Sequence, residues 1–111
     1  MIKELTGNAT LVLVTDENLY QHYQDRFIAY PVIKIPAGEA HKIQATVDFV
    51  VEELLKLGAD KNILLIAVGG GVVTDIAGYV AAIYMRGIKL VLVPTSILAM
   101  VDAAIGGKNG I

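Results

Sequence analysis

Three consecutive glycines, Gly69, Gly70 and Gly71, with Thr74 and Asp75 close behind, are the stretch of this chain best suited to chemistry. They follow an unbroken apolar run, Ile63 to Val68, and precede a run that reads as helix, Val72 to Met85. Residues without a Cβ allow a sharp turn and let a ligand approach the backbone. Free N–H groups at a helix start favour an anion. Thr74 and Asp75 are residue types that cap a helix start or complement its dipole. The chemistry implied is phosphate or diphosphate binding; the alternative is a tight turn that holds nothing. The spacing matches neither G-x-G-x-x-G nor a P-loop with its Lys-Ser/Thr.

Other candidates fall where strands give way to loops. Asp16 ends the apolar stretch Leu11 to Val14, at the carboxyl end of a strand, where doubly wound folds place ligand contacts; it also suits an N-cap of the next helix. Glu39 and Lys42 flank the start of a long helix, and Glu39 there complements the helix dipole. Thr95 and Ser96 place two hydroxyls after the strand Lys89 to Val93, as ligand contacts or as caps of a helix from Ile97 to Ala104. Asp102 is a carboxylate in apolar surroundings, LAMVDAAI, and such a group needs a partner or a purpose. Gly106-Gly107-Lys108-Asn109-Gly110 is a glycine-rich loop whose lysine suits an anion. Arg86 precedes Gly87 at a helix end, where an exposed arginine is ordinary.

The elements that must position these residues alternate. Strands are predicted at Leu11–Val14, Pro31–Ile35, Ile63–Val68 and Lys89–Val93, with helices at Glu17–Phe27, Ala40–Leu57 and Val72–Met85. In the second helix Ile43, Val47, Val50, Val51, Leu54 and Leu55 form an apolar stripe, and Gly58 ends it. Gly78 is predicted to permit close helix–strand packing, and Gly87 to be left-handed. Apolar strands alternating with helices predict an α/β fold, with about four parallel strands buried on both faces.

The 111 residues make one domain at most. Hydrophobic residues make up 55%, which fits a sheet covered on both faces, or a piece lacking a partner over one surface. Charge is nearly balanced, with 9 Lys+Arg against 11 Asp+Glu, so no basic tract points to nucleic acid or to a membrane surface. Absence of cysteine excludes thiol chemistry, disulfides and cysteine-based zinc sites. His22 and His41 lie on different predicted elements and read as surface residues, leaving no metal site within the chain. The most apolar window, near Ile83 to Val101, is broken by Arg86, Lys89 and Pro94 and is no membrane span. With no signal-peptide core in MIKELTGNAT, the expected location is cytoplasmic. Nothing follows the GGKNGI loop, so the chain reads as the first half of something larger.

Taken together, PAGEAHK, GGGVVTDIAGYVAAIYMRG and VPTSILAMVDAAIGGKNGI resemble the N-terminal domain of the 3-dehydroquinate synthase family, from Leu11 to Ile111. The resemblance implies a Rossmann-like NAD-binding domain over residues 1–111, joined in the family to a helical metal-binding domain absent from this chain. It implies a homodimer and the NAD-dependent conversion of a phosphorylated sugar acid, 3-deoxy-D-arabino-heptulosonate 7-phosphate, to 3-dehydroquinate and phosphate in the shikimate pathway. Asp16, Glu39 and Lys42 match residues on the adenosine side of NAD; Gly70, Gly71, Val72 and Asp75 match the diphosphate turn; Thr95 and Ser96 match a Thr-Thr pair near the nicotinamide ribose. Asp102 and Lys108 match groups on the substrate, Lys108 also approaching the cofactor, and Arg86 matches an arginine reaching a substrate phosphate from the neighbouring subunit. Thr74 replaces a glycine, Ala103-Ala104 a Ser-Ser pair, and Asn109 a threonine. The family's zinc or cobalt ligands lie beyond Ile111, and the chain alone is expected to be inactive. Two other readings are weighed. Glycerol-dehydrogenase-like enzymes share GGG-x-x-x-D but carry a lysine where this chain has Gly78, and related sugar-phosphate cyclases usually lack the GGK of Gly106 to Lys108. A non-catalytic dinucleotide-binding module is the third possibility.

Overall fold

The computed structural model describes residues 11–27 and 29–97. Four strands, β1 (Leu11–Asp16), β2 (Val32–Ile35), β3 (Leu64–Gly69) and β4 (Lys89–Pro94), form one parallel sheet in the order β2-β1-β3-β4. They are linked by helices α1 (Glu17–Phe27), α2 (Gln44–Lys56) and α3 (Gly71–Ile83).

The crossover through α1 travels one way along the sheet, from β1 to β2. Those through α2 and α3 travel the other way, from β2 past β1 to β3 and on to β4. Right-handed crossovers running in opposite directions put their helices on opposite faces. The packing follows that rule. Val47, Val50 and Leu54 of α2 join Val73, Ile76, Ala77 and Val80 of α3 over Val12, Val14, Ile33 and Leu65. Tyr20, Tyr23 and Phe27 of α1 pack on the other face, against Leu11, Leu13 and Val68. Both clusters are apolar burial of the kind that contributes roughly 1.5–3 kcal/mol per large side chain.

Several local expectations shift. The predicted helix Ala40–Leu57 divides into a 3-10 turn at Glu39–His41 and α2 proper. Ile43 becomes the N-cap of α2 and Leu55 faces outward, 51% and 56% exposed, so the apolar stripe is narrower than predicted. Helix α3 stops at Ile83, and a 3-10 turn Tyr84–Arg86 follows. Met85 and Arg86 take the left-handed conformation (φ 48° and 67°), whereas Gly87, at φ 115° and ψ 129°, lies outside it. A Cβ on Gly78 would meet nothing within 4 Å, so that glycine does not serve close packing. Gly58 does end its helix at positive φ, 73°. Strand β4 departs from the expected two-face burial: among the described residues it is the last strand of the sheet, and Val91 and Leu92 are 44% and 50% exposed.

Candidate ligand site at the switch point

The carboxyl ends of the strands share one edge of the sheet. The register pairs Asp16 with Ile35, Thr15 with Val68, and Gly69 with Pro94. Between β1 and β3 the chain leaves the sheet toward opposite faces, into α1 from one strand and α3 from the other. A crevice opens at such a topological switch point, and ligands of open α/β sheets bind there. Asp16 stands on one lip and the glycine turn on the other. Below them Thr15, fully buried, donates its hydroxyl to the Val68 carbonyl at 2.8 Å and ties the two strands together.

The glycines divide the work. A Cβ on Gly69 would come within 2.8 Å of Val73 Cγ2, so this position is bare because helix α3 packs on it. At Gly70 and Gly71 a Cβ would meet nothing within 4 Å. Among the described residues nothing covers those two, and their backbone is left accessible. Gly70 is the N-cap and offers no side chain to the helix. The Thr74 N–H donates to the Gly70 carbonyl at 3.0 Å, opening the intrahelical ladder. The N–H groups of residues 71–73 precede that bond, and such groups with the helix dipole favour an anion. Thr74 does not cap them. Its hydroxyl turns back to the Gly70 and Gly71 carbonyls, 3.2 Å from each, as a threonine one turn into a helix does.

Asp16 serves α1, accepting the Leu19 N–H on Oδ1 at 2.8 Å, and remains half-buried at the crevice. Three other candidates converge although two elements separate them in sequence. Lys42 Nζ lies 2.9 Å from Glu39 Oε1 and 3.3 Å from Asp75 Oδ2. The Glu39 carboxylate, then that of Asp75, holds the Lys42 ammonium above the ordinary lysine range. This lysine therefore bridges the turn after β2 to the first part of α3.

Val72 is half-buried in the first turn of α3, and Thr95 and Ser96 follow β4 on the same sheet edge, exposed and already helical. Arg86 is not part of this constellation. Helix α3 starts at the glycine turn and ends at the opposite edge of the sheet, about 20 Å away for 13 residues. Arg86 sits there, exposed. Asp102 and Lys108 lie outside the described residues. Sequence reasoning placed Thr15 with Asp16 at the strand's carboxyl end but missed its bond to Val68, and it missed the Lys42–Asp75 pair, whose 33-residue separation leaves no local signal. The Glu39–Lys42 pair had one, the i,i+3 spacing. Among the described residues no group of three or more His, Asp or Glu is placed to hold a metal ion, and no helix is long and apolar enough to cross a membrane.

Fold and turn together define an α/β domain of the doubly wound, Rossmann-like class, with an anion-favouring helix start at its switch point. The profile described as 3-dehydroquinate synthase N-terminal matches residues 32–111, and the chain belongs to that family. It is 58% identical over 79 residues to the 3-dehydroquinate synthase of Pyrococcus furiosus, covering 71% of this chain and 24% of that protein. Against the Synechococcus sp. enzyme the identity is 40% over 116 residues, covering 97% of this chain and 32% of that one. The chain thus spans between about a quarter and a third of the length of these relatives. A crystal structure of 2-deoxy-scyllo-inosose synthase complexed with carbaglucose-6-phosphate, NAD+ and Co2+ matches with a TM-score of 0.66 and 31% identity, over 78% of this chain and 26% of that one. The 2-epi-5-epi-valiolone synthase of Streptomyces hygroscopicus, with NAD+ and Zn2+ bound, matches with a TM-score of 0.71 and 30% identity, over 89% and 31%.

Proposed function

We propose that this chain is the NAD-binding part of a 3-dehydroquinate synthase, a lyase acting on 3-deoxy-D-arabino-heptulosonate 7-phosphate to give 3-dehydroquinate and phosphate. The observation that carries the reading is the pair of open glycines, Gly70 and Gly71, at an uncapped helix start on the switch point. The cradle fits a diphosphate. Among the described residues nothing crowds the two glycines, the first N–H groups precede the helical ladder, and the helix dipole has the right sign.

In this reading Gly70, Gly71, Val72 and Asp75 make up the turn beside the diphosphate, while Asp16, Glu39 and Lys42 hold the adenosine side. Thr95 and Ser96 orient the nicotinamide ribose. Lys108 faces both cofactor and substrate, Asp102 faces the substrate, and Arg86 reaches a substrate phosphate from a neighbouring copy. Its place at the sheet edge opposite the crevice supports a role in another subunit's site. NAD, when bound, supplies reversible oxidation of a substrate alcohol, and the protein contributes orientation and electrostatics. A zinc or cobalt ion belongs to a second, helical domain beyond these 111 residues, so the chain by itself does not turn over. A cytoplasmic homodimer completes the proposal. NAD+ and Co2+ or Zn2+ in the two cyclase structures support both cofactors.

The same two structures favour one second reading, a cyclase acting on another sugar phosphate. Titration of NAD+ into the chain, with phosphate release from the heptulosonate phosphate by the protein carrying its metal domain, is the test. Binding and release are expected. NAD+ binding with release only from glucose 6-phosphate or sedoheptulose 7-phosphate would select the second reading. Absence of NAD+ binding would end both.

A further inference from the structure

Asp75 and Glu39 put two carboxylates beside a helix start that favours anions, and a diphosphate arriving there would be repelled by both. Among the described residues Lys42 is the cation placed on them, and it reaches both at once, at 2.9 Å and 3.3 Å. Asp75 lies four residues after Gly71, on the same face of α3 and one turn in. Side chains on a helix lean toward its N-terminus, so this carboxylate leans toward the glycine turn. Glu39 comes from a different element, the 3-10 turn after β2.

We infer that Lys42 is a positioning residue that makes the acidic lip of the crevice compatible with a diphosphate. It offsets part of the field of Asp75 at the glycine turn while holding Asp75 and Glu39 as acceptors for hydroxyl groups of the same ligand. Carboxylates are what a ribose needs and what a diphosphate rejects; one shared lysine reconciles them. The inference rests on the NAD-binding reading above and adds a coupling between two residues that reading treats separately. Because the charges are solvent-exposed, with side-chain exposures of 41% for Lys42 and 60% for Asp75, the coupling must weaken with salt.

The test is a double-mutant cycle on NAD+ affinity in the full chain, using Lys42→Met, Asp75→Asn and the double variant, at low and high salt. ADP and adenosine serve as probes with and without the diphosphate. Lys42→Met is expected to weaken NAD+ and ADP about tenfold at low salt, and adenosine by less, through the lost hold on Glu39 alone. Adding Asp75→Asn to Lys42→Met should recover about threefold for NAD+, so that the two substitutions compensate rather than accumulate. Lys42→Arg should stay near wild type, which separates charge from fold. If the double variant loses the product of the single losses, or if Lys42→Met weakens adenosine as much as ADP, the inference falls while the NAD-binding reading stands. If the wild-type chain binds neither NAD+ nor ADP, that reading falls and takes the inference with it.

Discussion

The Thr15 hydroxyl donates to the Val68 carbonyl across 2.8 Å of fully buried space, joining β1 to β3 at the floor of the crevice. The bond spans 53 residues of sequence and fixes the two strands whose exits define the switch point. Thr15→Val keeps the shape and removes the donor. It should lower unfolding free energy by about 1–2 kcal/mol in urea titration, while Thr15→Ser, which keeps the donor, should owe its smaller loss to the missing methyl.

The glycine turn should separate stability from binding. Gly69→Ala pushes a methyl against Val73, itself 1% exposed, and should cost about 1–3 kcal/mol of stability, read as a lower urea midpoint. Gly71→Ala meets no neighbour and should change stability by less than about 0.5 kcal/mol. It should nevertheless weaken NAD+ at least tenfold in calorimetric titration. If Gly71→Ala destabilised the chain as much as Gly69→Ala, the proposed division of labour would be wrong.

Tyr84 closes the far end of α3. Its buried hydroxyl donates to the Ala59 carbonyl at 2.7 Å. Burial, with the Asp60 charge adding to it, pushes the phenol above the ordinary tyrosine range. The folded state therefore holds that proton more tightly than the unfolded chain does. The stabilisation is whole below the unfolded tyrosine value near pH 10 and is lost as pH rises through the folded one. Tyr84→Phe should cost about 1–2 kcal/mol at neutral pH and flatten the alkaline fall in stability, measured by denaturant midpoints from pH 8 to 11.

Strand β4 has a single ladder partner among the described residues and exposes Val91 and Leu92 on alternate faces. An apolar edge strand is a template for association. The 111-residue chain should self-associate with rising concentration in sedimentation, and Leu92→Lys should reduce that association.

The sequence by itself determined the elements. Apolar runs with glycine and proline boundaries set four strands, α1 was read from Glu17 to Phe27 as observed, and the glycines with Asp75 marked an anion-favouring turn. These are local matters of periodicity and backbone freedom, settled within one turn or one strand. Even there the reading failed where local signals conflict: Pro36 and Gly38 did not reveal that Glu39–His41 is a separate turn, and Gly87 concealed the left-handed pair before it. Tertiary structure alone decided the rest. The order β2-β1-β3-β4 made Asp16 and the glycine turn two lips of one crevice, left β4 last among the described strands, and sent Arg86 to the opposite end. It also brought Lys42 to Asp75. The physical reason is that the direction of each crossover depends on which faces bury together, a property of the assembled sheet that no single segment carries.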